Sequence, residues 1–91
     1  MKQSKNALII GASSGIGKEL SKLLVADGYK VVITGRREKL LLEIKATNPE
    51  MFIVKVHDVT DLVACETLIN TVKEELKTID LIVYSSGVGE P

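Results

Sequence analysis

Four short apolar runs, separated by three helical patterns, constrain the fold of this chain more than any other feature of its sequence. The runs are rich in Val and Ile and do not alternate with polar residues, which is typical of strands covered on both faces of a parallel sheet. They occupy positions 7–10, 31–34, 52–56 and 81–84. With right-handed crossovers, this alternation predicts an α/β, Rossmann-like, three-layer fold whose parallel sheet has the order 3-2-1-4.

The helical patterns lie between these runs. The first carries apolar residues at helical spacing from Ile16 to Leu24 and stops before Gly28, a residue that commonly caps a helix carboxyl end. The second extends over 38–47 and ends before Pro49, which disfavours the α conformation of the residue ahead of it. The third pattern is predicted to begin near position 60 and to end near position 77.

Composition excludes several classes of protein. The chain has 91 residues, 45% of them hydrophobic, and no internal repeat, so we expect residues 1–91 to belong to one domain. Twelve basic and twelve acidic residues balance without any block of like charge, which argues against a nucleic-acid or acidic-membrane partner. The apolar run before Gly11 is too short for a signal peptide or a membrane span.

The soft metal ligands of the chain are few. Cys65 is the single cysteine and His57 the single histidine, so the sequence predicts neither an internal disulfide nor a zinc site. A reducing, cytoplasmic location fits this cysteine usage.

A glycine-rich segment joins the first apolar run to the first helical pattern. Its glycines allow the backbone to turn out of a strand, to approach a ligand closely and to direct helix-start N–H groups at an anion. A dinucleotide is therefore the first ligand to consider. The segment reads Gly11, Ala12, Ser13, Ser14, Gly15, Ile16 and Gly17.

This GASSGIG segment resembles the cofactor loop of the short-chain dehydrogenase/reductase family, usually written TGxxxGIG. Ile10 stands where the family usually has Thr. The resemblance covers essentially the whole chain and implies hydride transfer between NADP(H) and a carbonyl or alcohol substrate. It also implies cofactor contacts from one set of loop residues: Gly11, Ser13, Ser14, Gly15, Ile16 and Gly17.

The only two arginines of the chain, Arg36 and Arg37, follow the second apolar run. An acidic residue at this place in a dinucleotide fold binds the adenosine ribose of NAD, whereas arginine accommodates the 2′-phosphate of NADP. The sequence VVITGRR resembles the NADP-preferring branch of the family, with Gly35 at the acidic position. NADP is therefore the expected cofactor, with NAD the less favoured one. The alternative is that both arginines simply solvate an exposed loop.

Two further segments resemble family motifs. Asp58 and Val59 resemble the pair whose side chain and backbone amide contact the adenine edge, although Asp58 could instead cap the following element. The stretch 80–87 resembles the family's DxLVNNAG, with Tyr and Ser in place of the two asparagines. The resemblance implies that Ser86 and Gly87 lie near the ribose and nicotinamide side of the cofactor.

The catalytic residues of the family are not found in this sequence. Members carry a serine and a Tyr-x-x-x-Lys pair beyond the fourth strand, in which the lysine lowers the pKa of the tyrosine for proton exchange. Tyr29 is followed four residues later by Ile33, and Tyr84 by Val88, so neither tyrosine matches that pair. We assign no catalytic residue to the chain.

Three explanations remain open. We expect the amino-terminal portion of a longer oxidoreductase, truncated after the fourth strand, which binds cofactor without catalysing. The alternative is a complete NADP-binding or interaction module that does not turn the cofactor over. A methyltransferase-like half-fold is disfavoured by the arginine pair.

A sheet that ends at the fourth strand has a further consequence. Residues 81–83 would then expose unpaired backbone groups on an apolar edge strand. We therefore expect a homo-oligomer, formed through this strand or through the exposed flank of the third helix.

Overall fold

A computed structural model describes residues 5–11, 15–56 and 62–84 of the chain. Strands and helices alternate throughout these ranges, as the apolar runs predict. The elements are β1 (Lys5–Ile10), α1 (Gly15–Ala26), β2 (Tyr29–Gly35), α2 (Glu38–Ala46), β3 (Phe52–Val56), α3 (Leu62–Leu76) and β4 (Leu81–Tyr84).

The four strands form one parallel sheet in the order β3-β2-β1-β4, which confirms the predicted topology. Ile10, the last residue of β1, pairs with Thr34 of β2 on one side and with Tyr84 of β4 on the other. The carboxyl ends of these three strands therefore meet at one edge of the sheet, and the segments that follow them leave from that edge.

Helices cover both faces of the sheet, giving the expected three layers. Alternate residues of each strand point to opposite faces, which explains why the apolar runs are continuous. On the face of α1 and α2 the buried residues are Ala7, Ile9, Val31, Ile33, Leu41, Ile44 and Phe52. On the face of α3 they are Leu8, Ile10, Val32, Leu68 and Val72.

The helix ends agree with the predicted positions and show how each helix stops. Gly28, at φ 98°, follows α1 and donates its N–H to the carbonyl of Val25, confirming the predicted cap. Lys77 follows α3 with φ 74°, a left-handed conformation that is unfavourable for a side chain with a Cβ. Its N–H donates to the carbonyl of Lys73 at 2.7 Å. A lysine thus occupies the place where helices commonly carry glycine.

β1 and β2 each begin two residues earlier than the apolar pattern predicts, at Lys5 and Tyr29. The two first residues pair in the sheet, and the Lys5 Nζ lies 5.8 Å from the centre of the Tyr29 ring. Backbone pairing therefore continues beyond the buried part of the strands, where a cation over an aromatic face adds stability.

Three hydrogen bonds hold the amino end of β1 to the turn before β4. The Asn6 N–H donates to Asp80 Oδ2 at 2.8 Å, and the Asp80 N–H donates to the Asn6 carbonyl at 2.8 Å. The Asn6 Nδ2 donates to the carbonyl of Thr78 at 3.0 Å. These contacts fix the register of β4 on its neighbour.

Within the described residues, β4 pairs with β1 on one side and has no partner strand on the other. Two side chains of this strand are exposed, Ile82 at 46% and Tyr84 at 56%.

Among the described helices, none combines the length and the apolar character that a bilayer crossing requires.

Candidate functional site

The chain leaves β1 through a turn at Gly11. This residue is buried and has φ 91°, a conformation in which glycine carries no steric penalty. Its N–H donates to the carbonyl of Thr34 at 3.0 Å. The first residue of the glycine-rich loop is therefore attached to the end of β2.

Gly15 begins α1 and faces open space. A Cβ built on it would meet no atom of the described residues within 4 Å, and its φ lies outside the left-handed region. Among the residues that the structure describes, neither packing nor backbone conformation requires a glycine here, and the space beside this helix amino end is open. The first turn of α1 contains no acidic residue, which leaves the positive end of the helix dipole uncompensated.

Gly17 is the third residue of the same helix and is buried. In dinucleotide-binding folds the third glycine of the loop allows close helix–strand packing, and the burial of Gly17 is compatible with that role. The loop glycines thus differ in their surroundings: Gly11 provides the turn, Gly15 is exposed at the helix start and Gly17 is buried.

Arg36 and Arg37 lie at the carboxyl end of β2, and both are exposed. Neither guanidinium forms a hydrogen bond or an ion pair with another residue that the structure describes. Arg37 is also the N-cap of α2, with φ −103° and ψ 92°, and it makes no side-chain capping bond. Two cationic groups therefore stand beside a helix amino end that lacks a side-chain acceptor.

Thr34 connects these two regions and was not among the residues predicted to contact the cofactor. Its hydroxyl is wholly buried and donates to the carbonyl of Ile9 at 3.3 Å. The signal in the sequence is one hydroxyl at the end of the apolar run 31–34, since a buried hydroxyl requires a partner.

The structure brings together five of the residues predicted to contact the cofactor. They lie at the carboxyl edge of β1 and β2, where ligands bind in open α/β sheets. They are Gly11, Gly15, Gly17, Arg36 and Arg37. The other predicted contacts lie outside the described residues: Ser13, Ser14, Asp58, Val59, Ser86, Gly87 and the side chain of Ile16.

A shallow cavity of about 380 Å³ lies on the side of the amino ends of the strands, between the end of α1 and the turn from α2 to β3. None of the five residues above lines it; the lining residues are Lys22, Val25, Ala26, Thr47, Asn48 and Phe52. Among the described residues, no cluster of three or more His, Cys, Asp or Glu side chains could hold a metal ion.

Comparison with known proteins gives one family. Residues 5–91 match the sequence profile of the short chain dehydrogenases. The chain is 35% identical over 86 residues to a probable NADP-dependent dehydrogenase of Haemophilus influenzae, covering 94% of this chain and 34% of that protein. The chain spans about a third of the length of the curated relatives it matches.

Solved structures agree with this result. A short-chain dehydrogenase from Streptomyces avermitilis has a TM-score of 0.85 and 30% identity, covering 93% of this chain and 31% of that one. The structure of ElxO with NADP bound has a TM-score of 0.84 and 28% identity, covering 97% of this chain and 37% of that one. The sheet order, the glycine-rich turn and the profile match over residues 5–91 agree, and the chain belongs to the short-chain dehydrogenase family.

Proposed function

We propose that this chain is the NADP-binding portion of an oxidoreductase that transfers a hydride between NADP(H) and a carbonyl or alcohol substrate. Residues 1–91 would form the amino-terminal part of a single dinucleotide-binding domain. One observation carries the proposal: two arginines without a side-chain partner among the described residues stand beside a helix start that has no side-chain capping bond, next to the turn at Gly11 on the neighbouring strand.

The α1 amino end fits the pyrophosphate of a dinucleotide. Helix-start N–H groups and the helix dipole favour an anion there, and the first turn holds no carboxylate to repel it. The open volume above Gly15 gives a phosphate access to the backbone. A side chain at this position would occupy the same volume, which would account for a glycine that the packing of the described residues does not require.

The end of β2 fits a 2′-phosphate. The guanidinium groups of Arg36 and Arg37 supply planar donors that match phosphate oxygens and form charge-assisted hydrogen bonds. The uncapped amino end of α2 adds free backbone donors. Glu38 lies in the first turn of α2 and opposes this attraction, but two cations outnumber the single carboxylate.

The names of related proteins support this cofactor. The Haemophilus influenzae relative is a probable NADP-dependent dehydrogenase, and the ElxO structure contains NADP. When bound, the nicotinamide supplies or accepts the hydride. This chain's residues would hold the phosphates, and they include no Tyr-x-x-x-Lys pair to exchange a proton with a substrate. We therefore expect the 91-residue chain by itself to bind cofactor and not to catalyse.

Calorimetric titration with NADP and with NAD tests the proposal directly. NADP is expected to bind at least about tenfold more tightly, because each charge-assisted hydrogen bond to the 2′-phosphate contributes about 1.5–3 kcal/mol. Equal affinities, or tighter binding of NAD, would remove the proposed role of the arginine pair.

An NADP-binding module without turnover is the second candidate, favoured by the lack of a Tyr-x-x-x-Lys pair in these residues. Both candidates require NADP binding, so titration does not separate them. Reading the coding sequence beyond Pro91 for an in-frame Tyr-x-x-x-Lys with a preceding serine does. Finding the motif supports the oxidoreductase, and a stop codon there supports the module.

We also propose that the chain self-associates through the open edge of β4 or through the flank of α3. The support is the single paired edge of β4 in the described sheet, together with the exposed side chains of Ile82 and Tyr84. An exposed apolar edge strand presents backbone donors and acceptors to a second copy of the same strand.

A further inference from the structure

Thr34 binds the end of β1 at two points. Its carbonyl accepts the N–H of Gly11 at 3.0 Å, and its hydroxyl donates to the carbonyl of Ile9 at 3.3 Å. These two residues flank Ile10, the residue with which Thr34 pairs in the sheet. A single residue of β2 therefore holds β1 on both sides of its last pairing position.

The position of Thr34 links the two phosphate-binding regions of the proposed site. Along the chain, Thr34 precedes Arg36 by one intervening residue, Gly35. Across the sheet, it is hydrogen-bonded to the first residue of the glycine-rich loop. Thr34 thus contributes, with the pairing of β1 and β2, to the separation between the arginine pair and the turn at Gly11.

The hydroxyl of Thr34 is not explained by packing. The side chain has 0% exposure, and valine, which is also branched at Cβ, has nearly the same shape and would fill the same volume. Burying a hydroxyl costs free energy that an internal hydrogen bond offsets only in part. Ile10, its partner on β1, has no hydroxyl, so the side-chain hydrogen bond at this pair is donated by Thr34.

We infer that Thr34 is a positioning residue, which fixes the turn at Gly11 and the arginine pair at the separation that a dinucleotide with a 2′-phosphate requires. The inference rests on the proposed function. A ligand that occupies both regions gains affinity from their correct spacing, because binding at one raises the effective concentration at the other. A ligand that occupies one region alone gains nothing from that spacing.

This difference supplies the experiment. NADP spans both regions, whereas adenosine 2′-monophosphate carries the 2′-phosphate and no pyrophosphate. For Thr34→Val, which removes the hydroxyl and keeps the shape, we expect NADP to bind roughly tenfold more weakly, because small misplacements of binding groups are costly. The affinity for adenosine 2′-monophosphate should change by less than about twofold, and Thr34→Ser should restore NADP binding to near that of the unchanged protein.

A purely structural role gives a different result. General loosening of the sheet would weaken both ligands to the same extent, and that outcome would overturn the inference. Unchanged NADP binding in Thr34→Val would overturn it as well, while leaving the proposed function intact. If the unchanged protein binds neither ligand, the proposed function itself fails and the inference fails with it.

A measurement on the unchanged protein covers the case in which Thr34→Val does not fold. Hydrogen exchange of the Gly11 amide, which donates to the Thr34 carbonyl, reports on the link between the regions. Adenosine 2′-monophosphate bound at the arginine pair should slow exchange of this amide severalfold. An unchanged exchange rate under saturating ligand would show that the two regions are not coupled.

Discussion

The Asn6 N–H and the Asp80 carboxylate form a hydrogen bond of 2.8 Å between residues 74 positions apart. The Asp80 N–H returns a bond of the same length to the Asn6 carbonyl, so the two residues close a ring between β1 and the segment that enters β4. This ring and the bond from the Asn6 Nδ2 to the Thr78 carbonyl attach the last strand to the sheet at its amino end.

Asp80→Ala should lower the free energy of unfolding by about 1.5–3 kcal/mol, the contribution of a hydrogen bond to a charged group. The substitution leaves the part-buried Asn6 N–H without its acceptor. Urea denaturation measures the change. Asp27→Ala, which alters an exposed turn carboxylate, is the matched control and should change stability by less than about 0.5 kcal/mol. Equal effects of the two variants would contradict the assigned role of Asp80.

Lys77→Gly should raise the free energy of unfolding by roughly 1 kcal/mol, because glycine adopts a left-handed conformation without the penalty that a Cβ imposes. The observed φ of 74° at Lys77 is the basis of this expectation. Lys73→Gly, inside the last turn of α3, is the control and should destabilise by about 1 kcal/mol. Thermal unfolding distinguishes the two signs, and destabilisation by both would show that Lys77 does not cap the helix in this conformation.

Gly15→Ala should separate binding from stability. Its added methyl group enters open space, so the free energy of unfolding should stay the same or rise by up to about 0.5 kcal/mol. NADP affinity should fall by roughly tenfold or more, because the methyl group occupies volume that a bound phosphate needs. Unfolding curves and calorimetric titration measure the two quantities on one sample.

Gly28→Ala, at the other end of α1, is the matched control for this substitution. The φ of 98° makes a Cβ unfavourable there, so stability should fall by about 1–2 kcal/mol while NADP affinity stays constant. If Gly15→Ala reduces stability and leaves NADP binding unchanged, the open volume above Gly15 is not a ligand site.

Arg36→Ala should weaken NADP binding by roughly 10- to 100-fold and leave NAD binding within about twofold, since NAD has no 2′-phosphate. Arg37→Ala should act in the same direction. Lys39→Ala removes a nearby cation in the first turn of α2 and controls for general charge. If all three variants weaken NADP and NAD alike, the positive charge of the loop acts without recognising the 2′-phosphate.

If the chain self-associates through β4, the strength of association should depend on Ile82, an exposed apolar residue of that strand. Sedimentation of the 91-residue chain should show a concentration-dependent increase in mass, and Ile82→Lys should reduce it. Leu23→Lys, on an exposed position of α1, is the control and should leave association unchanged. A monomer at all concentrations would exclude this interface.

The topology was predictable because strands of a parallel sheet leave a local signal, which is strongest in β1 and β2, where both faces are buried. Continuous apolar runs identify β1 to β4. The glycine at position 28 marks the end of α1, which the structure places two residues earlier, at Ala26. The hydrogen bonds between Asn6 and Asp80 were not predictable, because the two residues are 74 positions apart and no local pattern pairs them. The same holds for the Thr34 hydroxyl, whose acceptor lies 25 positions away on another strand.

The candidate site was predictable in part for a related reason. Glycine spacing and the arginine pair are local, so the sequence was sufficient to select Gly11, Gly15 and Arg36. The left-handed conformation of Lys77 was not predicted, because the sequence has no glycine there to signal it.

The same Asn6–Asp80 bond has a consequence for the order in which the sheet assembles. It closes 74 residues, whereas the Thr34–Ile9 bond closes 25, and the longer loop costs about 1 kcal/mol more in closure entropy. We expect β1 and β2 to pair first, as their residues are also synthesised first, and β4 to dock last. Pulse-labelled hydrogen exchange should therefore protect the amide of Gly11 before that of Asp80. The edge strand β4 is then the last to be added to a sheet in which the turn at Gly11 has already formed.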